Sequence, residues 1–247
     1  NWLAGELTRE GQASSLGGSL DGVWRDTMVL AAEGVSKVPA LLSDVEAATL
    51  PCAALTAWRA LMVEGGLKAG ETVVVQGTGG VSIFALQFAR AAGAEVVVTS
   101  SSDEKLARAK ALGADHLVNY KKIPEWSKAV REITGGRGAD HVVEVGGAGT
   151  LEQSLQSIRI GGHVSIIGVL AGPVRDLQIR WIMAPNAKVK GITVGSREHF
   201  EAMCRAIALN GIKPVIDKTF PFDAARDAFG HMAGQGHFGK ITIDLTA

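Results

Sequence analysis

Between positions 72 and 194 the chain switches repeatedly between two hydrophobic patterns. Short β-branched runs at 72–76, 95–100, 116–119, 141–145, 163–167 and 189–194 read as strands, several of them apolar at consecutive positions, as strands buried on both faces are. Between the first five, the stretches 81–92, 103–112, 124–134 and 150–158 have helical spacing and predict helices that stop at Gly93, Gly113, Gly135 and Gly161. Strands alternating with crossover helices predict an α/β fold with a doubly wound, six-stranded parallel sheet.

The flanks follow a different pattern. Residues 1–22 are rich in Gly and Ser without periodicity, 23–30 and 35–38 read as strands, and 44–62 reads as a helix broken near Pro51. Beyond 194 come a predicted helix at 198–209, a strand near 215–217, a helix at 223–230 and a last strand at 240–244. No internal repeat or low-complexity tract is visible. These outer pieces are expected to pack together as part of a second domain, giving boundaries of 1–46, 47–196 and 197–247.

Composition narrows the class. A chain of 247 residues with a formal net charge of zero has no electrostatic footprint for nucleic acid or an anionic membrane. The longest apolar run, 160–174, is interrupted by glycines and His163 and falls short of the ~20 residues a spanning helix needs, so no membrane partner is expected. Two cysteines, Cys52 and Cys204, without a C-x-x-C pair, argue against a disulfide scaffold and fit a reducing, cytoplasmic setting. The chain starts at Asn1 without an initiator methionine, inside irregular sequence, and is expected to be a fragment.

The densest chemical signal is Glu71-Thr-Val-Val-Val-Gln-Gly77-Thr78-Gly79-Gly80-Val81-Ser82, a buried strand, a glycine turn and the start of an apolar-faced helix. Gly77 can take the tight turn with positive φ, and Gly79 lets the backbone approach a phosphate. The N–H groups opening the helix carry the partial positive charge that suits an anion. Ser82 stands where the usual pattern has its third glycine, a small residue in a packing position. Glycine patterns are weak alone in a chain with 31 glycines, but here a complete strand-helix-strand unit surrounds this one.

Which dinucleotide is read about twenty residues further on, where NAD-binding units place an acid for the ribose 2′-OH. Here that place is Thr99-Ser100-Ser101-Ser102. Ser101 and Lys105 can donate to a 2′-phosphate, and Asp103, the nearest acid, is expected to serve as a helix N-cap, so NADP(H) is predicted over NAD(H). Three other nucleotide-using classes fail on the residues. A short-chain reductase needs a lysine four residues after its tyrosine, and Tyr120 is followed there by Pro124; a methyltransferase wants an acid ending the second strand; a P-loop needs Gly-Lys-Ser/Thr where Gly80-Val81-Ser82 stands.

Three further segments carry a family resemblance: Asp44-Val-Glu-Ala-Ala-Thr-Leu-Pro-Cys52-Ala-Ala-Leu-Thr56-Ala-Trp58, the stretch from Gly66 through the glycine turn, and Ala111-Leu-Gly-Ala-Asp-His-Leu-Val-Asn-Tyr120. From about Asp21 to the end the chain resembles the medium-chain dehydrogenase/reductase superfamily, most closely its zinc-independent, quinone-oxidoreductase-like and alcohol-dehydrogenase-like branch. That resemblance implies a Rossmann domain inserted into a GroES-like β-rich catalytic domain, of which this chain holds a remnant. It also implies hydride transfer between NADP(H) and a small carbonyl, quinone, enone or alcohol, and a homodimer joined through the sheet edge at 189–194.

Carried onto this sequence, the resemblance places the pyrophosphate on Gly77, Thr78, Gly79, Gly80 and Val81, and the 2′-phosphate on Ser101 and Lys105 with Tyr120 at the adenosine end. Val145 and Gly146 would line the ribose, while Gly168 and Val169 face the nicotinamide, with Thr56 near it. Val194, Gly195, Ser196, Gly239 and Lys240 are further expected cofactor contacts; for all these flanking residues, core packing or helix capping is an equally good reading. The family's structural-zinc cysteines have no counterpart in 1–22, Cys52 alone cannot hold a catalytic zinc and reads as a small buried residue, and the six histidines are scattered singly, so no metal is expected. The family's proton donors come from a segment preceding Asn1, and no catalytic acid or base is assignable. A non-enzymatic NADPH-binding protein and a zinc alcohol dehydrogenase are the alternative readings.

Overall fold

The computed structural model describes residues 1–168, 172, 174 and 176–245. The chain forms two compact units, Thr56–Thr193 and a second made of Asn1–Leu55 with Val194–Ala247.

The first unit is built on β1 (Thr72–Gln76), α1 (Gly80–Ala91), β2 (Glu95–Ser100), α2 (Asp103–Ala111), β3 (His116–Asn119), α3 (Trp126–Ile133), β4 (Ala139–Glu144), α4 (Leu151–Ser157), β5 (Ile158–Ile166) and β6 (Lys188–Gly191). The six strands form one parallel sheet in the order β3-β2-β1-β4-β5-β6, as the alternating pattern predicts. Strand order therefore reverses between β1 and β4. Val97, Val74, Val142, Val164 and Val189 are register partners across five strands. They share a core with Trp126 and Val130 of α3 and Leu151 and Leu155 of α4. Each buried valine of this ladder contributes about 1.5–3 kcal/mol of transfer free energy, so a one-residue slip of any strand is strongly disfavoured.

The largest shifts from the predicted boundaries in this unit are at β5 and β6. The helix expected at 150–158 does not run on to Gly161; the chain enters β5 directly at Ile158, whose side chain is fully buried. Pairing with β4 begins at Ala139 and Ile158 and resumes at His141 and His163, so the residues between bulge out of the ladder. The last strand ends at Gly191 rather than 194: Ile192 N still bonds Ile166 O at 2.8 Å, but Val194 has φ of 36°, which no strand accommodates.

The N-terminal ends of β1, β4 and β5 hold a dense ionic group. Asp140, 3% exposed, accepts from Thr72 N at 2.8 Å, from Arg137 at 2.9 and 2.7 Å and from Arg159 Nε. Burial opposes its ionisation, but Arg137, the Thr72 amide and Arg159 outweigh that and hold its carboxyl well below the usual carboxylate range. Beside it His141 Nε2 lies 2.9 Å from Glu71 Oε2. Burial, then the neighbouring His141, pushes His163 down to about 4.

In the second unit, α5 (Arg197–Asn210), β7 (Ile216–Pro221), α6 (Ala225–Ala233) and β8 (Lys240–Asp244) follow one another, and β7 pairs with β8 in parallel. Met203, Ile207, Phe220 and Phe238 are buried. The strands expected at 23–30 and 35–38 do not form. Those residues are irregular, one 3-10 turn, Ala32–Gly34, lies between them, and Val29, Val35 and Val38 are exposed. β-Branched side chains favour a strand only where a neighbour supplies a ladder and a packed face, and neither is present there. The predicted broken helix appears as successive turns Asp44–Ala47, Leu50–Ala54, Leu55–Trp58 and Arg59–Glu64, with Pro51 in the first turn of the second. Among the described residues no helix is long and apolar enough to cross a membrane.

Candidate dinucleotide site

The residues singled out in the first unit meet along the C-terminal edge of its sheet. Gly77 leaves β1 with φ of 69° and its N–H bonds Thr99 O at 2.7 Å, tying the glycine turn to the end of β2. Within α1 the first backbone bond runs from Ile83 N to Gly79 O at 3.0 Å, so the N–H groups ahead of it point out of the helix end. A Cβ added to Gly77 or Gly79 would meet no atom within 4 Å. Open space beside converging N–H groups suits a pyrophosphate. Thr78 is buried, Gly80 and Val81 are half-buried, and Ser82 is 2% exposed with its Oγ donating to Gln76 O at 2.6 Å. Serine in the packing position thus adds a bond between helix and strand.

At the β2 end, Thr99 and Ser100 are buried while Ser101 and Lys105 are half-buried. Tyr120 is exposed and its N–H bonds Ser100 O at 3.1 Å, which sets it beside the β2 terminus. The helix cap is Ser102, not Asp103: Ser102 has extended backbone and its Oγ accepts from Lys105 N at 3.3 Å, leaving Asp103 as the first helical residue. Asp103 instead accepts from Asn119 Nδ2 at 2.7 Å and Lys122 Nζ at 2.5 Å, and Lys122 first, then Asn119, lowers its pKa.

On the other side of the reversal, the loop after β4 carries Val145 and Gly146, both half-buried. Val145 N bonds Gln76 Oε1 at 3.2 Å. A Cβ on Gly146 would lie 2.3 Å from Thr150 Oγ1, and one on Gly168 would lie 2.2 Å from Val145 O, so both loops pass where only glycine fits. Val169 lies outside the described residues. Tyr120, Ser101, Gly77, Val145 and Gly168 thus follow one another along a single edge, at the topological switch point where open α/β sheets bind their ligands.

The sequence reading passed over the group that joins the two halves of this edge. Glu144, the last residue of β4, is fully buried. Its Oε1 accepts from Gly146 N at 2.8 Å, Gly147 N at 2.9 Å and Thr150 Oγ1 at 2.5 Å; its Oε2 accepts from Gln76 Nε2 at 2.7 Å and from Ser154 Oγ. A carboxylate inside the apolar run Val142-Val143-Glu144-Val145 was the available signal.

The remaining expected contacts lie elsewhere. Thr56 is buried in the helical turn Leu55–Trp58. In the second unit, Gly195 packs so closely that a Cβ would lie 2.9 Å from Leu55 Cδ1. Ser196, fully buried after Val194, caps α5 by accepting from His199 N at 3.3 Å. Gly239 has φ of 83° and touches the Val215 backbone, and Lys240 opens β8. Cys52 is exposed on a helical turn rather than buried, because the turn's apolar face is formed by Leu50, Ala53 and Ala54. Among the described residues no three His, Cys, Asp or Glu side chains converge to hold a metal.

A parallel sheet reversing between β1 and β4, with a glycine turn and a bare helix N-terminus at the reversal, defines a dinucleotide-binding domain. Residues 80–208 match the family model of zinc-binding dehydrogenases. The chain is 47% identical over 251 residues to a zinc-type alcohol dehydrogenase-like protein of Schizosaccharomyces pombe, covering 99% of this chain and 72% of that one. Among solved structures, a putative alcohol dehydrogenase from Sinorhizobium meliloti superposes with a TM-score of 0.92 at 44% identity, over 99% of this chain and 72% of that one. An NAD-dependent alcohol dehydrogenase superposes at 0.86 and 34% identity, over 93% and 67%. The chain belongs to the medium-chain, zinc-type alcohol dehydrogenase-like family of NAD(P)-dependent oxidoreductases.

Proposed function

We propose that this chain binds NADP(H) in preference to NAD(H) and serves hydride transfer between the nicotinamide and a small quinone, enone, aldehyde or alcohol without zinc. The observation that carries the cofactor preference is the β2 end. Ser101 and Lys105 stand where a ribose-binding acid would be, and the nearest carboxylate, Asp103, is already bonded by Asn119 and Lys122. Gly77, Thr78, Gly79, Gly80 and Val81 hold the pyrophosphate on this reading. Ser101, Lys105 and Tyr120 hold the adenosine 2′-phosphate end, Val145 and Gly146 line the ribose, and Gly168 faces the nicotinamide. The cofactor supplies the hydride; the chain's own residues bind and orient it. The zinc-independent form rests on Cys52 being a lone thiol on its turn, since one thiolate cannot hold a catalytic zinc. A homodimer through β6, the sheet's edge strand, would cover its unpaired backbone groups.

The test is a fluorescence titration with NADPH and NADH, repeated on Lys105→Ala. Loss of one charge-assisted contact weakens NADPH roughly ten- to a hundredfold, about 1.5–3 kcal/mol, and leaves NADH nearly unchanged. Equal affinity for the two cofactors in the wild type overturns the preference. Oxidation of NADPH that depends on added quinone or enone supports the reaction class, and binding without any such turnover favours a non-enzymatic NADPH-binding protein. One zinc per chain by metal analysis overturns the zinc-independent form.

A further inference from the structure

Glu144 has no role in the function proposed above, yet it is a fully buried carboxylate whose five hydrogen-bond donors, among the described residues, include no cation. A carboxylate without a counter-charge is costly to bury and persists only where neutral donors surround it closely. These donors are not scattered. Gln76 is the last residue of β1, one before the turn glycine Gly77, and its carbonyl also receives Ser82 of α1. Gly146, Gly147 and Thr150 form the loop after β4, and Ser154 lies in α4. Gln76 completes the circuit, its Nε2 reaching Glu144 at 2.7 Å and Ser154 Oγ at 2.6 Å while its Oε1 takes Val145 N at 3.2 Å. The Glu144 carbonyl in turn accepts from Ile167 N at 2.8 Å and Gly168 N at 3.3 Å.

We infer that Glu144 is a positioning residue, which locks the Val145-Gly146-Gly147 loop and the Gly168 strand end to the glycine turn so that both present one continuous bed to the nicotinamide-ribose half of the cofactor. The inference rests on the dinucleotide reading above. The adenosine half lies over β2, on the far side of the turn, and none of Glu144's partners is there. The two halves of the ligand should therefore respond differently to its loss. Glu144→Gln keeps shape and keeps Oε1 on the loop amides, but sets its new NH2 against the NH2 of Gln76, donor against donor. Adding Gln76→Glu reverses the polarity of that one bond and restores an acceptor.

The experiment measures dissociation constants of the chain for NADPH and NADH, and for their adenosine halves 2′,5′-ADP and ADP, in the wild type, E144Q and the double variant Q76E/E144Q. The expected result is about tenfold weaker dinucleotide binding by E144Q, no more than twofold change for the adenosine halves, and recovery to within about threefold in the double variant. If E144Q does not fold by far-UV circular dichroism, Thr150→Val, which removes one donor and keeps the shape, carries the same comparison with an expected threefold loss. Unchanged dinucleotide binding, equal losses for whole and half ligands, or no recovery in the double variant overturns the positioning role alone. A wild type that binds none of the four ligands overturns the dinucleotide reading, and this role with it.

Discussion

β4 buries an acid near each end, and the two are treated in opposite ways. Asp140, near the N-terminal end, meets two arginines and a backbone amide. Glu144, at the C-terminal end, meets only amides and hydroxyls. The first arrangement is neutralised within itself and holds β1, β4 and β5 together. The second spreads one carboxyl group's hydrogen bonds over neutral donors on the end of β1, the loop after β4 and α4, and so ties these together without a cation. One end of the sheet is closed as structure, and the other is left available for binding.

The contrast is broken most severely at the N-terminal end. Asp140→Ala strands two arginines and the Thr72 amide, and should cost about 3 kcal/mol of unfolding free energy. That is the lower end for a broken buried pair, because Arg137 and Arg159 retain access to water. Chemical denaturation measures it, and NADPH affinity of the folded variant should stay within twofold. Acid is the next lever. His163 is held at about 4 when folded, against an ordinary histidine value of about 6.5, so the unfolded chain binds more protons between those values. Stability is then full above pH 7 and falls by about 2 kcal/mol toward pH 5, a slope that His163→Asn should remove. Asp140 cannot supply that slope, because its folded pKa and its ordinary one both lie below this window.

Smaller changes sharpen the binding end. Ser82→Ala deletes the bond to Gln76 O and should cost about 1 kcal/mol, read as a lower denaturation midpoint at unchanged m-value. Lys122→Met releases Asp103 from its exposed ion pair. Stability should hardly move, as is usual for such pairs, but the freed carboxylate near the proposed 2′-phosphate site should lower the NADPH-to-NADH preference about twofold to threefold.

Most of the first unit was legible because its strands are buried on both faces: runs such as Val73-Val74-Val75 and Val96-Val97-Val98 permit few other readings. The glycine turn was legible because its spacing has a backbone cause. The failures also have causes. Val29, Val35 and Val38 have strand-favouring side chains but no neighbouring ladder, which single-chain periodicity cannot reveal. Glu144 was invisible as a site residue since its importance lies in five partners on the end of β1, the loop after β4 and α4, and the register of β1 against β4 is what brings Gln76 to it.

The tight passage of Gly168 against Val145 O and of Gly146 against Thr150 has an evolutionary consequence. Any side chain at either position collides with main chain or with the Thr150 hydroxyl, so drift there is closed. At the β2 end, Asp103, Tyr120 and Lys122 are exposed, and a substitution there costs at most a surface ion pair or the bond between Asn119 and Asp103. A library aimed at cofactor choice therefore gains by varying 101–105 and 120–122 and holding 146 and 168 fixed, since the first set can change its chemistry without the second having to move.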